Sequence, residues 1–339
     1  MEEENALAHR DFYLDNTKFF LITMVIWSHV LSSLCEGGIC HRVDSFLYFF
    51  HVPLFIFISG YFTKVNDPAG FWKSIGRLLE TLIIFNIIHM IIRIALGKIV
   101  IGEEGFWSIL YTPQWSLWYL LSLIWWRFIV FVSTRKFHLS PVKVLVFSVV
   151  LGLVAGFIPV ARELSFQRTF FFLPFFALGY LCKNVRLDLA ILRKIPVYVA
   201  AIILLLVLAG SLFTDFEFKA RLMGCFPYYR YDAPLIVSLA VRIGTYLACF
   251  VTAVCVLRCM PRREIKWISA QGAHTLHYYL YHTIIIYLFM ALGLYFKLPT
   301  TIYMSVCYLL VVVLVAWGLQ RIKFFRSLPN IVSENRIRR

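Results

Sequence analysis

The sequence predicts an all-α, polytopic integral membrane protein of about ten transmembrane helices, and three observations carry that reading. Of the 339 residues, 61% are hydrophobic and 15% charged, with a mean hydropathy of +0.79. Apolar runs recur along the whole chain, long enough at 1.5 Å per residue to cross a hydrocarbon core of ~30 Å. The 33 basic and 18 acidic residues cluster at a few places, too few to coat a soluble core of such apolarity.

Dividing the chain at its polar clusters places spans near residues 15 to 35, 43 to 64, 74 to 96, 115 to 134, 142 to 160, 168 to 183, 196 to 213, 234 to 258, 272 to 293 and 299 to 320. The polar N-terminus holds no apolar signal core, so the first run reads as a retained helix. An even number of spans puts both termini on one side. The N-terminus, the loops 64 to 73, 127 to 143, 183 to 194 and 258 to 266, and the C-terminal tail hold most of the basic residues, which makes both termini cytoplasmic. The net charge of +15 then faces anionic lipid rather than nucleic acid. The connections 97 to 114 and 214 to 233 carry acids, aromatics and prolines and are the expected external lids. No repeat, low-complexity tract or appended soluble domain interrupts this plan, so residues 1–339 read as one domain, multi-pass in the plasma (inner) membrane. Cys35 and Cys40 flank a short glycine-containing loop, where a disulfide stays open. No metal is expected, because His41 beside them lacks a second ligand pair.

Ionisable groups inside such spans are costly and mark interior surfaces. The first span closes on VIWSHV, residues 25 to 30, with His29 about 21 Å along it. That histidine reads either as a hydrogen bond to a neighbouring helix or as a neutral imidazole able to take a proton from a hydroxyl. Asp15, a similar length of helix away, cannot orient it and pairs better with Lys18. In the third span Lys73, Arg77 and Glu80 share one face near the cytoplasmic end, and Asn86, His89 and Arg93 form a second stripe. Thr275, Tyr279 and His282 repeat the spacing in the ninth, His51 precedes Pro53 in the second, and Arg242 lies inside the eighth. Together they describe a polar interior running from a basic cytoplasmic mouth to a histidine-bearing outer half. A transporter needs such an interior, and so does an enzyme working between two compartments. The matched broken repeats expected of a transporter are not found.

Six stretches carry a family likeness: DNTKFFLITMVIWSH (15 to 29), YFFHVPLFIFISGYF (48 to 62), KSIGRLL (73 to 79), WSLWYLLSL (115 to 123), RTFFFLPFFALGYLCKN (168 to 184) and TLHYYLYH (275 to 282). In this order the chain resembles the membrane-bound acyltransferase family 3, and within it the sugar O-acetylases related to fucose 4-O-acetylase. The resemblance implies transfer of an acyl group, commonly acetyl from acetyl-CoA, to a hydroxyl of a cell-surface or lipid-linked glycan. The family's helix-one histidine matches His29, as general base. Its basic pair after the second helix is usually two arginines; Lys73 and Arg77 are the nearest equivalents and would meet the coenzyme's phosphates. Tyr279, His282 and Arg242 are then the expected donors to the oxyanion, with Arg242 also an expected substrate contact. Trp115, Trp118 and Arg168 either contact the sugar or anchor helix ends, and His51 either lines the same cavity or supports the bend at Pro53. The expected partners are acetyl-CoA, the glycan acceptor and membrane lipid, with the acceptor sugar and oligomeric state open. The alternative is an exporter of polysaccharide or lipid-linked sugar that uses no acyl donor.

Overall fold

The computed structural model describes residues 11–97, 113, 115–160, 163–296 and 299–330, and every regular element among them is a helix. Helix α1 (Phe12–Leu34) starts at Asp11, whose side chain accepts from the Leu14 amide, and runs through the middle of the bundle. The second apolar run is two helices, α2 (Gly38–Tyr48) and α3 (His51–Tyr61), broken at Phe49 and Phe50. Pro53 explains the break: with no amide hydrogen, it fits the first turn of α3 but not the interior of one continuous helix. Next come α4 (Pro68–Ala95), a 3-10 turn at Trp115–Leu117 leading into α5 (Trp118–Arg135), α6 (Pro141–Val154), α7 (Phe166–Asn184) and α8 (Val197–Ser211). The chain ends with α9 (Phe216–Leu222), α10 (Leu235–Cys259), α11 (Lys266–Gly272), α12 (Thr275–Phe296), α13 (Ile302–Arg321) and α14 (Lys323–Ser327).

Among the described residues, seven helical stretches are long and apolar enough to cross a membrane: α1, the α2–α3 pair, α4, the Trp115–Arg135 run, α10, α12 and α13. The apolar helices at Pro141–Phe157 and Val197–Ser211 are shorter. Helix α1 packs against α3, α11, α12 and α13, and α3 lies against α7. That last contact is close because glycines face backbone in both directions. A Cβ added at Gly60 would overlap the Phe176 carbonyl, and one at Gly179 the Phe57 carbonyl.

The connection 214 to 233 is folded. Helix α9, capped by the Asp215 side chain, lies on α2, and the buried Lys219 meets the buried Asp44 at 2.5 Å. This approach is a charge contact without hydrogen-bond alignment at Asp44 Oδ2, while Oδ1 accepts from Ser28 at 2.5 Å. The connection 97 to 114 lies outside the described residues apart from Gly97 and Pro113. Cys35 and Cys40 are buried free thiols, each directed at a backbone carbonyl. After α13 the chain turns back on the bundle, where Tyr281 donates to the Phe325 carbonyl and Thr81 to the Pro329 carbonyl.

Candidate functional site

Residues 22, 25 and 29 share one face of α1, which with α2, α3, α5 and α12 encloses a cavity of about 40 Å³. Its lining includes His29, Tyr48, His51, Ser116, Trp118, Tyr119 and Tyr279. At ~10–15 Å³ per water it admits a few waters and no sugar ring in this conformation. His29 is half-buried and its ring makes no hydrogen bond among the described residues. The Trp115 ring stands edge-on to it at 5.2 Å, and the His282 ring lies 5.2 Å away on another side.

The partners of the other two histidines settle which nitrogen of a neutral ring carries the proton. His51 Nδ1 faces the Leu47 carbonyl at 2.5 Å, and His282 Nδ1 faces the Tyr278 carbonyl at 3.0 Å. A carbonyl only accepts, so Nδ1 holds the hydrogen in each ring and Nε2 keeps the lone pair. His282 Nε2 is buried and without a partner among the described residues. Tyr279 spends its hydroxyl hydrogen on the Ser116 carbonyl at 2.6 Å, and Tyr119 shares a 2.6 Å hydrogen bond with Ser59. Beside the lining, the Arg168 guanidinium stacks 4.8 Å over Trp118.

The structure therefore gathers His29, His282, Tyr279, His51, Trp115, Trp118 and Arg168 around one cavity. Arg242 is elsewhere. Its Nη1 donates to the Gly152 carbonyl at 2.9 Å and its guanidinium lies 4.4 Å over Tyr228, in a cluster with Phe171 and Tyr231. Lys73 and Arg77 are exposed on α4 and do not line the cavity. Leu82 and Phe85 of the same helix pack with Tyr278, Tyr279 and Tyr281 in one buried cluster. Nor is the oxyanion role of Tyr279 and neutral His282 seen in this arrangement, because the hydrogen each would donate is already held by a carbonyl.

Several residues were missed in the sequence. Asp44 is a lone acid inside an apolar run, a signal of the same kind as His29, but its partner Lys219 lies far along the chain. Ser116 stands inside the WSLW motif, hidden by its own commonness. Arg127 on α5 reaches Ser74 at 2.5 Å, its Nε is buried without a partner, and it makes no ion pair among the described residues. A separate cavity of about 560 Å³, lined by Asp11, Tyr13, Tyr61, Lys183, Arg186 and Arg262 among others, lies by the start of α1. At 100° per residue Tyr13 points to the opposite side of α1 from His29, so this cavity does not continue the histidine pocket.

Among the described residues, no group of three or more histidine, cysteine or acidic side chains is arranged to hold a metal ion. No curated protein and no solved structure matches the chain. The model of the acyltransferase family 3, described as an acyltransferase domain, matches residues 11–321. A match of that length, on a bundle of membrane-length helices, makes this chain a member of acyltransferase family 3 and a multi-pass membrane acyltransferase.

Proposed function

We propose that the protein is an O-acetyltransferase of the sugar-modifying branch, moving acetyl from cytoplasmic acetyl-CoA to a hydroxyl of a cell-surface or lipid-linked glycan in the plasma (inner) membrane. The observation that carries this reading is the half-buried His29 ring, free of hydrogen bonds among the described residues, at a cavity lined by Trp118, over which Arg168 stacks. An imidazole held this way has a nitrogen available for an incoming hydroxyl. Aromatic and guanidinium faces suit a sugar, one by stacking and the other by hydrogen bonding.

The donor side is supported by charge. Lys73 and Arg77 stand exposed on α4, and the half-buried Arg127 donates to Ser74 of the same helix, a set suited to phosphates approaching from the cytoplasm. Counting from Trp115, beside His29, to Arg127 gives 12 residues, or about 18 Å along the helix axis. An extended two-amide thioester arm of about 13 bonds reaches about 15 Å at peptide-like spacing, so Arg127 and His29 are separated by roughly the length of a pantetheine arm. The rings packed between them must part for it to enter.

The test is to give purified protein acetyl-CoA with and without glycan acceptors and follow free thiol. Acceptor-dependent thiol release supports the reading. Glycan movement across vesicles without any thiol release would return the exporter.

A further inference from the structure

We propose that Ser116, at the N-terminal start of the helical run leading into α5, is a catalytic residue: its hydroxyl and that helix start stabilise the oxyanion formed beside His29. The proposal rests on the acyl-transfer reading above and names the group that reading leaves without an assignment. Transfer needs a donor at the carbonyl oxygen, and Tyr279, His282 and Arg242 each have their donor hydrogens committed elsewhere or lie outside the cavity.

Two independent observations converge on Ser116. Its side chain is 2% exposed and lines the His29 cavity, yet among the described residues its Oγ, beside the Tyr279 hydroxyl, is buried without a well-formed hydrogen bond. Buried hydroxyls are nearly always satisfied, so one left open beside a candidate base marks a position kept for a ligand atom. The second observation is the backbone. The 3-10 turn Trp115–Leu117 runs directly into α5, whose N-cap residue Leu117 supplies no side-chain hydrogen bond. The first amides of such a run lack partners within the helix and carry partial positive charge. Trp115 holds a left-handed φ of 38°, a strained value for a tryptophan, between the His29 ring and the Tyr287 ring at 4.9 Å. The Tyr279 hydroxyl pins the Ser116 carbonyl. The turn is thus held in place from both sides.

In the step that follows, His29 takes the proton of the acceptor hydroxyl as its oxygen bonds to the thioester carbon. The carbonyl π electrons move to oxygen, where Ser116 Oγ–H and the helix start receive the charge. Collapse re-forms the carbonyl and breaks the carbon–sulfur bond. The thiolate leaves with the proton held by His29, so atoms and charge balance.

The test measures Ser116→Ala, Ser116→Thr and His29→Ala beside the parent protein. Ser116→Ala is expected to lower kcat by roughly 10²- to 10³-fold, the cost of one oxyanion donor, with donor KM and the shape of the pH profile unchanged. Its thermal stability should stay equal or rise, because an unsatisfied buried hydroxyl is gone. Ser116→Thr, which keeps a hydroxyl, should recover part of the rate. A Ser116→Ala enzyme at parental rate, with His29→Ala inactive, overturns the inference and leaves the acyltransferase reading standing. An acyl ester found on Ser116 by mass spectrometry overturns it too, by making the serine a nucleophile. A parent protein that releases no thiol with any acceptor overturns both.

Discussion

Replacing Lys219 by Met tests whether α9 is fastened to the bundle by a buried charge. Nζ sits 2.5 Å from Asp44 Oδ2, with the two side chains 5% and 1% exposed. At an effective dielectric of ~20 the bare attraction at that distance is about 7 kcal/mol, before either ion's desolvation is subtracted. Removing one member leaves Asp44 buried and uncompensated, at a cost of ~3–5 kcal/mol. At ~1.4 kcal/mol per decade, the opening of α9 becomes roughly 10²- to 4 × 10³-fold more frequent. Amide hydrogen exchange over Phe216–Leu222 reads this directly, with α12 as the unaffected control. Adding Asp44→Asn removes the stranded charge and leaves an acceptor for Ser28, so the double variant should regain most of the protection. Unchanged exchange in Lys219→Met, or a double variant worse than either single change, would refute the reasoning.

Three other changes separate the roles of the buried polar groups. His29→Ala should cut transfer by ~10²- to 10⁴-fold while donor binding, measured by calorimetry, stays intact; an active variant would place the base elsewhere. Arg127→Met removes a buried cation without an acidic partner among the described residues, and donor KM should rise by about 10- to 100-fold at the ~1.5–3 kcal/mol of a charged hydrogen bond. An unchanged donor KM would make Arg127 purely structural. Arg242→Met strands the Gly152 carbonyl and loses the stacking on Tyr228, so the melting temperature should fall while acceptor KM holds. A raised acceptor KM at parental stability would return Arg242 to the substrate.

The histidine pocket was partly legible in the chain. His29, Tyr279, His282 and His51 stood out because a polar group inside an apolar helix is costly and must face an interior, and they do face one. Arg242 met the same criterion for another reason: its charge is absorbed by the carbonyls of Gly152 and Phe226 and by aromatic rings. Depth in a helix cannot distinguish these fates, because both satisfy the same energetic demand. Lys73 and Arg77 share a face by spacing, but which neighbour that face meets is not a property of α4 alone.

Helical class and the recurrence of apolar runs follow from composition and period, which are local quantities, and both can be read along the chain. The proline at 53 likewise announces the break between α2 and α3. What tertiary structure alone decided is which groups meet: Lys219 with Asp44, Tyr279 with Ser116, and His282 with His29. These pairs lie far apart in the chain and join helices whose rotation about their own axes is set only when they pack. The same packing spends some hydroxyls on carbonyls and leaves Ser116 Oγ open. That distinction depends on a few ångströms between helices and is written nowhere in the identity of the serine itself.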